Sequence, residues 1–343
     1  MIIYSENFDK ELGRRVAELK PDRVFLFTDS NVSEALSDRT PGDGTWQAIV
    51  MDAGEQHKNV QTLADVWQQL IDGGATRRSL LVNFGGGVVS DLGGFAAATF
   101  KRGIRFINVP TSLLAMVDAS SGGKTGIDFG GLKNSVGVFA DPECTIIDTS
   151  LLSTLPEREM RSGAAEIMKM ALITSRTDTM RILAGDLLDD PRLLDSMIRM
   201  SVSEKERITT IDPHEAGLRK TLNFGHTAGH AIESLLLDAG RPVTHGEAVA
   251  RGMLVALILS HMLLGMDSQI IYTYKEEFLN RYYGPSPVKC RDIDEIVRLT
   301  GHDKKNERAG EALFTLLEEP GKPRINVSVA AADIASALEI SLQ

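Results

Sequence analysis

The sequence predicts two domains of different class: an α/β domain over residues 1–155 and an all-α domain over residues 156–343. Three observations predict this. Short apolar runs ending in turn residues alternate with helical patterns through the first half, which is the signature of a parallel sheet with helices on its faces. Long helical patterns take over after LLSTLPEREM. A length of 343 residues is enough for about two domains.

Taken in order, DRVFLFTDSN holds an apolar run followed by polar turn residues, and reads as a strand. NVQTLADVWQQLIDGG places apolar residues at helical spacing and ends on glycines, and reads as a helix with its stop. SLLVNFGGG and IRFINVPTS are two further strands. In the second half GAAEIMKMALI, LLDSMIRMSVSEKERI, HTAGHAIESLLL and GEAVARGMLVALILSHMLL read as helices, and strand signals nearly vanish until the C-terminal tail. The most apolar stretch, GMLVALILSHMLLGM, is interrupted by Ser260 and His261 and preceded by Arg251. It is shorter than the roughly 20 apolar residues of a membrane span and reads as a buried core helix. No membrane partner is expected.

Composition excludes several classes. Lys and Arg number 37 against 47 Asp and Glu, a formal net charge of −10. Such a chain gains no counterion-release drive toward DNA or RNA, so nucleic acid is not expected as a partner. The two cysteines, Cys144 and Cys290, lack a CxxC spacing and fit a reducing cytoplasm. MIIYSENFDK carries no signal-peptide pattern.

Four segments carry candidate chemistry. NFGGGVVSDLGGF (83–95) feeds a strand through three glycines into a helix, where backbone N–H groups and the dipole favour a phosphate. Ser90 stands where the third glycine of GxGxxG would be. VDASSGGKTGIDFGGLKN (117–134) surrounds Lys124, Lys133 and Asn134 with small residues and suits an anion; its GGKT is no Walker A, because Asp118 occupies the leading glycine position. LNFGHTAGHAIE places His226 and His230 four residues apart on one helix face, and His245 opens the next helix, so a divalent metal of the zinc class is expected. Glu166 on GAAEIMK is a candidate carboxylate ligand. HEAGLRK, with Glu215, Arg219 and Lys220 and with Lys205 upstream, is a candidate clamp for a substrate carboxylate.

Together GGGVVSD, VPTSLLAMVDASSGGKTGI, LKNSVGVF, LSTLPEREMRSGAAEIMK, EAGLRKTLNFGHTAGHAIE and HGEAVARGM resemble the 3-dehydroquinate synthase family, from about Thr28 to Lys305. The resemblance implies an α/β N-terminal Rossmann-like domain plus an all-α C-terminal domain, in a cytoplasmic homodimer. It implies a carbon–oxygen lyase that converts 3-deoxy-D-arabino-heptulosonate 7-phosphate (DAHP) to 3-dehydroquinate and phosphate in aromatic amino acid biosynthesis. NAD and a divalent metal, Zn or Co, are the implied cofactors.

Position by position, the resemblance implies Glu166, His226 and His245 as metal ligands, which moves His230 from the metal toward the substrate phosphate. Lys124, Asn134 and one of Lys304 and Lys305 would also contact the phosphate. Arg102 would reach into the neighbouring subunit's site. Lys205 and Arg219 resemble the carboxylate clamp, with Lys169 and Asn223 lining the pocket. Asp118 would lie near the reacting hydroxyls, and Glu215 would order water there. For NAD the matching positions are Asp29, Asn31, Glu55, Lys58, Gly86, Gly87, Val88, Asp91, Thr111, Ser112, Leu114, Lys133, Thr154, Leu155 and Glu159. Ser112, Ala119 and Asp128 depart from the usual Thr, Ser and Asn without removing a ligand. The alternatives are a related sugar phosphate cyclase, whose sugar substrate would lack the carboxylate, and a metal- and NAD-dependent polyol dehydrogenase, which would not need the phosphate contacts.

Overall fold

The computed structural model describes residues 1–42, 44–119, 122–130, 132–301 and 311–343. Lys304 and Lys305, and Ser120 and Ser121 of the second motif, lie outside them. The chain divides into two compact units, Met1–Pro156 and Glu157–Gln343.

The first unit is built on six parallel strands: β1 (Ile2–Tyr4), β2 (Val24–Asp29), β3 (Gln47–Met51), β4 (Leu80–Gly85), β5 (Arg105–Pro110) and, after a hairpin, β8 (Cys144–Ile147). Their order across the sheet is β1-β8-β5-β4-β2-β3. The central strands are continuous apolar runs because both of their faces are covered; every residue of β4 is buried. The chain leaves β2 toward β3 on one side and leaves β4 toward β5 on the other. The order therefore reverses between β2 and β4, the place where open parallel sheets bind ligands beyond their carboxyl ends. On one face the helix Val60–Asp72 buries Leu63, Val66 and Leu70. Asn59 caps it by accepting the Thr62 N–H, and Gly73 ends it.

The hairpin is β6 (Lys124–Phe129) and β7 (Leu132–Phe139). Its residues read from sequence as a glycine-rich stretch; the structure pairs them as antiparallel strands. Gly126 and Gly137 sit opposite each other, and a Cβ on Gly137 would lie 2.1 Å from the Thr125 carbonyl oxygen. These two glycines are therefore required by strand packing.

The second unit is mainly helical. Its centre is the helix His245–Leu264, buried without interruption from Ala248 to Ser260. Against it pack the helices Glu157–Thr174, His226–Asp238 and Ala331–Ser341. The C-terminal strand signal becomes an antiparallel ribbon, β9 (Glu311–Glu319) and β10 (Lys322–Ala330), turned at Gly321 with φ +89°. β9 also packs on the central helix. The ribbon is the one departure from a purely helical unit among the described residues. Period-2 alternation in INVSVA makes it, with half of β10 facing solvent.

Candidate active site

In the first unit the expected cofactor positions gather at the carboxyl ends of the strands. Asp29 closes β2 and caps the following helix by accepting the Val32 N–H at 3.0 Å; Asn31 lies in that helix. Glu55 and Lys58 follow β3. Gly86 and Gly87 follow β4, and Thr111, Ser112 and Leu114 follow β5. Gly86 is the N-cap of the helix Gly87–Thr99, with no side chain capping it. A Cβ on Gly85 would strike Val89 at 2.6 Å, so that glycine is a packing requirement. A Cβ on Gly86 would meet nothing nearer than Ser112 Oγ at 3.4 Å, and its φ of −76° is open to any residue. Neither packing nor conformation explains Gly86; a ligand lying against this helix end does. Val88 is half-buried there. Thr154 ends a short helix after β8 and Leu155 follows it. Glu159 belongs to the second unit, exposed on Glu157–Thr174.

Lys58 is buried. Its ammonium donates to Asp91 Oδ2 and to Asn134 Oδ1, each at 2.5 Å. Asp91 was expected beside NAD and Asn134 beside phosphate, so Lys58 ties the two positions together. Burial pushes the Asp91 carboxyl above its usual range, and the Lys58 charge opposes that shift. Asn134 sits at φ +50° and donates its N–H to Asp128 Oδ1 at 2.7 Å. Lys124 and Lys133 are exposed on the hairpin, Asp118 lies in the π-helical turn Ala115–Ala119, and Arg102 is exposed at φ +68°.

In the second unit three histidine rings converge. Their centroids lie 5.2 Å (His226–His230), 5.5 Å (His226–His245) and 5.7 Å (His230–His245) apart, and their ligand atoms all lie within 4.8 Å of one another. Glu166 approaches from the helix Glu157–Thr174. Its Oε1 is 3.6 Å from His226 Nε2 and 3.9 Å from His245 Nε2. Donors held about 2.1 Å from one tetrahedral ion lie roughly 3.4 Å apart, so this spacing fits a shared cation. Both Glu166 oxygens are buried without a hydrogen bond, although the Lys169 ammonium stands against Oε2 as an ion pair. A buried carboxylate left so poorly satisfied is a cost that a bound cation removes.

The tautomers agree with that reading. His226 Nδ1 is 3.1 Å from the Phe224 carbonyl oxygen, which only accepts; Nδ1 therefore carries the proton and Nε2 keeps its lone pair toward Glu166. His245 Nδ1 is likewise 3.2 Å from Glu233 Oε2. Burial, then the nearby Lys169 charge, hold His226 well below the usual histidine range, in the neutral form a metal needs. Close backbone packing fixes these helices. A Cβ on Gly252 would lie 2.1 Å from the Gly225 carbonyl oxygen, and one on Gly246 would lie 2.0 Å from that of Ser162.

Lys169, Lys205 and Arg219 are each at most 6% exposed, an uncommon position for cations; Lys169 is paired with Glu166, and Arg219 donates Nη1–H to the Pro213 carbonyl at 2.9 Å. Lys205 lies on the helix Pro191–Ile211, which runs into the turn carrying Glu215 and packs against Leu218–Asn223, which carries Arg219 and Asn223. Asn223 donates from Nδ2 to Glu215 Oε1 at 2.8 Å. Two residues escaped the sequence reading. Glu233 stands seven residues after His226, inside the quoted HTAGHAIE, and that spacing was the available signal. Asp212 precedes HEAGLRK and gave no signal.

A parallel sheet with an open glycine turn at its switch point, and a helical unit with a histidine–carboxylate cluster, are the architecture of the sugar phosphate cyclases. A solved 2-deoxy-scyllo-inosose synthase in complex with carbaglucose-6-phosphate, NAD+ and Co2+ superposes with a TM-score of 0.85, at 25% identity over 98% of this chain and 95% of its own. The 2-epi-5-epi-valiolone synthase of Streptomyces hygroscopicus, solved with NAD+ and Zn2+, gives 0.85 at 24% identity, over 99% and 96%. A probable glycerol dehydrogenase of Sinorhizobium meliloti gives 0.66 at 15%, over 99% and 96%, and shares the fold. Within that class, the family models for the N-terminal and C-terminal parts of 3-dehydroquinate synthase match residues 48–162 and 163–306. The 3-dehydroquinate synthase of Parabacteroides distasonis is 44% identical over 98% of this chain and 96% of its own length; that of Leptospira interrogans is 39% identical over 92% and 88%. The chain belongs to the 3-dehydroquinate synthase family.

Proposed function

We propose that the chain is a 3-dehydroquinate synthase, a lyase that releases phosphate from DAHP and closes the carbocycle, acting as a cytoplasmic homodimer. Family membership supports the reaction, and one observation supports the substrate: Arg219 and Lys205 are buried cations in the unit that holds the histidine–carboxylate cluster. A guanidinium fork matches a planar carboxylate bidentately, and DAHP carries a carboxylate where glucose 6-phosphate and sedoheptulose 7-phosphate have none.

NAD, held at the Gly86–Gly87 turn, and a divalent metal, held by Glu166, His226 and His245, supply reversible hydride acceptance and Lewis acidity. The chain's own groups position and stabilise. Arg219 grips the carboxylate with its guanidinium fork, and Lys205 adds charge. Lys124, Asn134 and His230 hold the phosphate and stabilise it as it departs. Asp118 orients the reacting hydroxyls, while Glu215 with Asn223 orders water. Lys169 balances the Glu166 charge. The departing phosphate can accept the proton itself, so the reading requires no dedicated base.

The test is phosphate release from DAHP, glucose 6-phosphate and sedoheptulose 7-phosphate in parallel, with NAD and metal present. Release from DAHP alone, lost on chelation and restored by Zn2+ or Co2+, is expected. Release from a sugar phosphate instead would make the chain a different cyclase of the same fold.

A further inference from the structure

Asp212 stands at the C-terminal end of the helix Pro191–Ile211, immediately before the turn that delivers Glu215 and Arg219. Its carboxylate accepts three backbone N–H groups: Ala216 on Oδ1 at 2.9 Å, and Gly217 and Arg219 on Oδ2 at 2.7 and 2.9 Å. These bonds bend residues 213–219 around one anionic centre. Within the bend Glu215 adopts φ +59°, a left-handed conformation that a non-glycine residue keeps only where its surroundings enforce it. Arg219 then turns back to donate Nη1–H to the Pro213 carbonyl at 2.9 Å, which fixes the plane of its fork.

We infer that Asp212 is a positioning residue for substrate recognition: it clamps the 213–219 turn so that Arg219 and Glu215 are pre-aimed before substrate arrives. The inference rests on the reading that Arg219 grips the substrate carboxylate. Asparagine has nearly the same shape but replaces one acceptor oxygen with a donor. In Asp212→Asn one edge of the side chain must therefore face a backbone N–H donor to donor.

The experiment compares the wild type, Asp212→Asn, Arg219→Ala and the double variant, each loaded with NAD and metal. KM and kcat for DAHP are measured alongside amide hydrogen exchange of the unliganded chain. Asp212→Asn should raise KM about tenfold, the scale of one charge-assisted hydrogen bond, with a smaller change in kcat. Exchange at Ala216, Gly217 and Arg219 should accelerate while the histidine helices stay protected. Because Asp212 acts through Arg219, the double variant should show the KM of Arg219→Ala alone, within about twofold. Additive effects, or unchanged exchange in Asp212→Asn, overturn the inference. If Arg219→Ala raises KM and Asp212→Asn does not, only the positioning role fails. If Arg219→Ala leaves KM unchanged, the carboxylate-grip reading fails and takes this inference with it.

Discussion

Glu233 shows how a side chain outside the proposed ligand set can orient a ligand. By accepting from His245 Nδ1 it fixes which nitrogen is left for a metal. Glu233→Gln should weaken metal binding roughly 10–100-fold in competition with a chelator, while the fold persists. The cysteines give a second residue-scale expectation. Cys144 is buried and burial pushes its thiol up to about 11, whereas Cys290 is exposed. Thiol reagents at pH 8 should titrate one cysteine in the native chain and two after unfolding. The folded pKa lies above the unfolded one, so Cys144 contributes stability that is intact below about pH 9 and is lost as pH rises toward 11. Tyr274 and Tyr283, also raised by burial, act in the same direction. Urea midpoints should fall between pH 8.5 and 10.5; a flat profile would contradict this. Histidine spacing made the metal cluster legible in the sequence. Glu166 could be named only as a candidate from its place on a helix of the same half, because it is sixty residues away and no periodicity links it to His226; the family resemblance made it a ligand. Asp212 was illegible because its role is made by a turn whose shape exists only once folded.

Among the elements, the strand–glycine–helix unit at β4 was readable because apolar run, glycines and helix follow one another without a gap. The β6–β7 hairpin was not, since its glycines resemble a loop until they are seen facing each other across two strands. The pair His226–Asp238 and His245–Leu264 depends on small residues at their contact. Gly252→Ala would put a methyl 2.1 Å from the Gly225 carbonyl and 2.5 Å from the Gly229 nitrogen, with backbone on both sides and no flexible atom to yield. A cost of about 1–3 kcal/mol or more is expected, with a lower melting midpoint. Metal affinity should fall with it, because the same displacement separates His226 from His245.

For the molecule as a whole, the change from alternating to helical pattern was legible in the sequence, but the closing ribbon was visible only as a strand signal in the tail. The proposed dimer carries its own test. Arg102, exposed on its turn, would complete the partner's site, whereas Glu166 serves its own. Arg102→Ala and Glu166→Gln chains should each be nearly inactive. Unfolded and refolded together at equal amounts, they should recover about a quarter of wild-type activity, since half the dimers would be mixed and each would hold one intact site. No recovery would remove the cross-subunit role of Arg102.

An 18-residue stretch of the helix His245–Leu264 has a mean hydropathy of 1.6, as apolar as many membrane segments, yet 72% of it is buried within the fold. Part of its cover, β9 and the helix Ala331–Ser341, is synthesised after it. During translation the chain thus carries a greasy, membrane-like segment whose final wrapping has not yet left the ribosome. Biogenesis rather than catalysis is then the vulnerable moment. Premature stops or slow translation after residue 264 should send this enzyme to chaperones or aggregates, even when every residue that touches substrate up to that point has already been made.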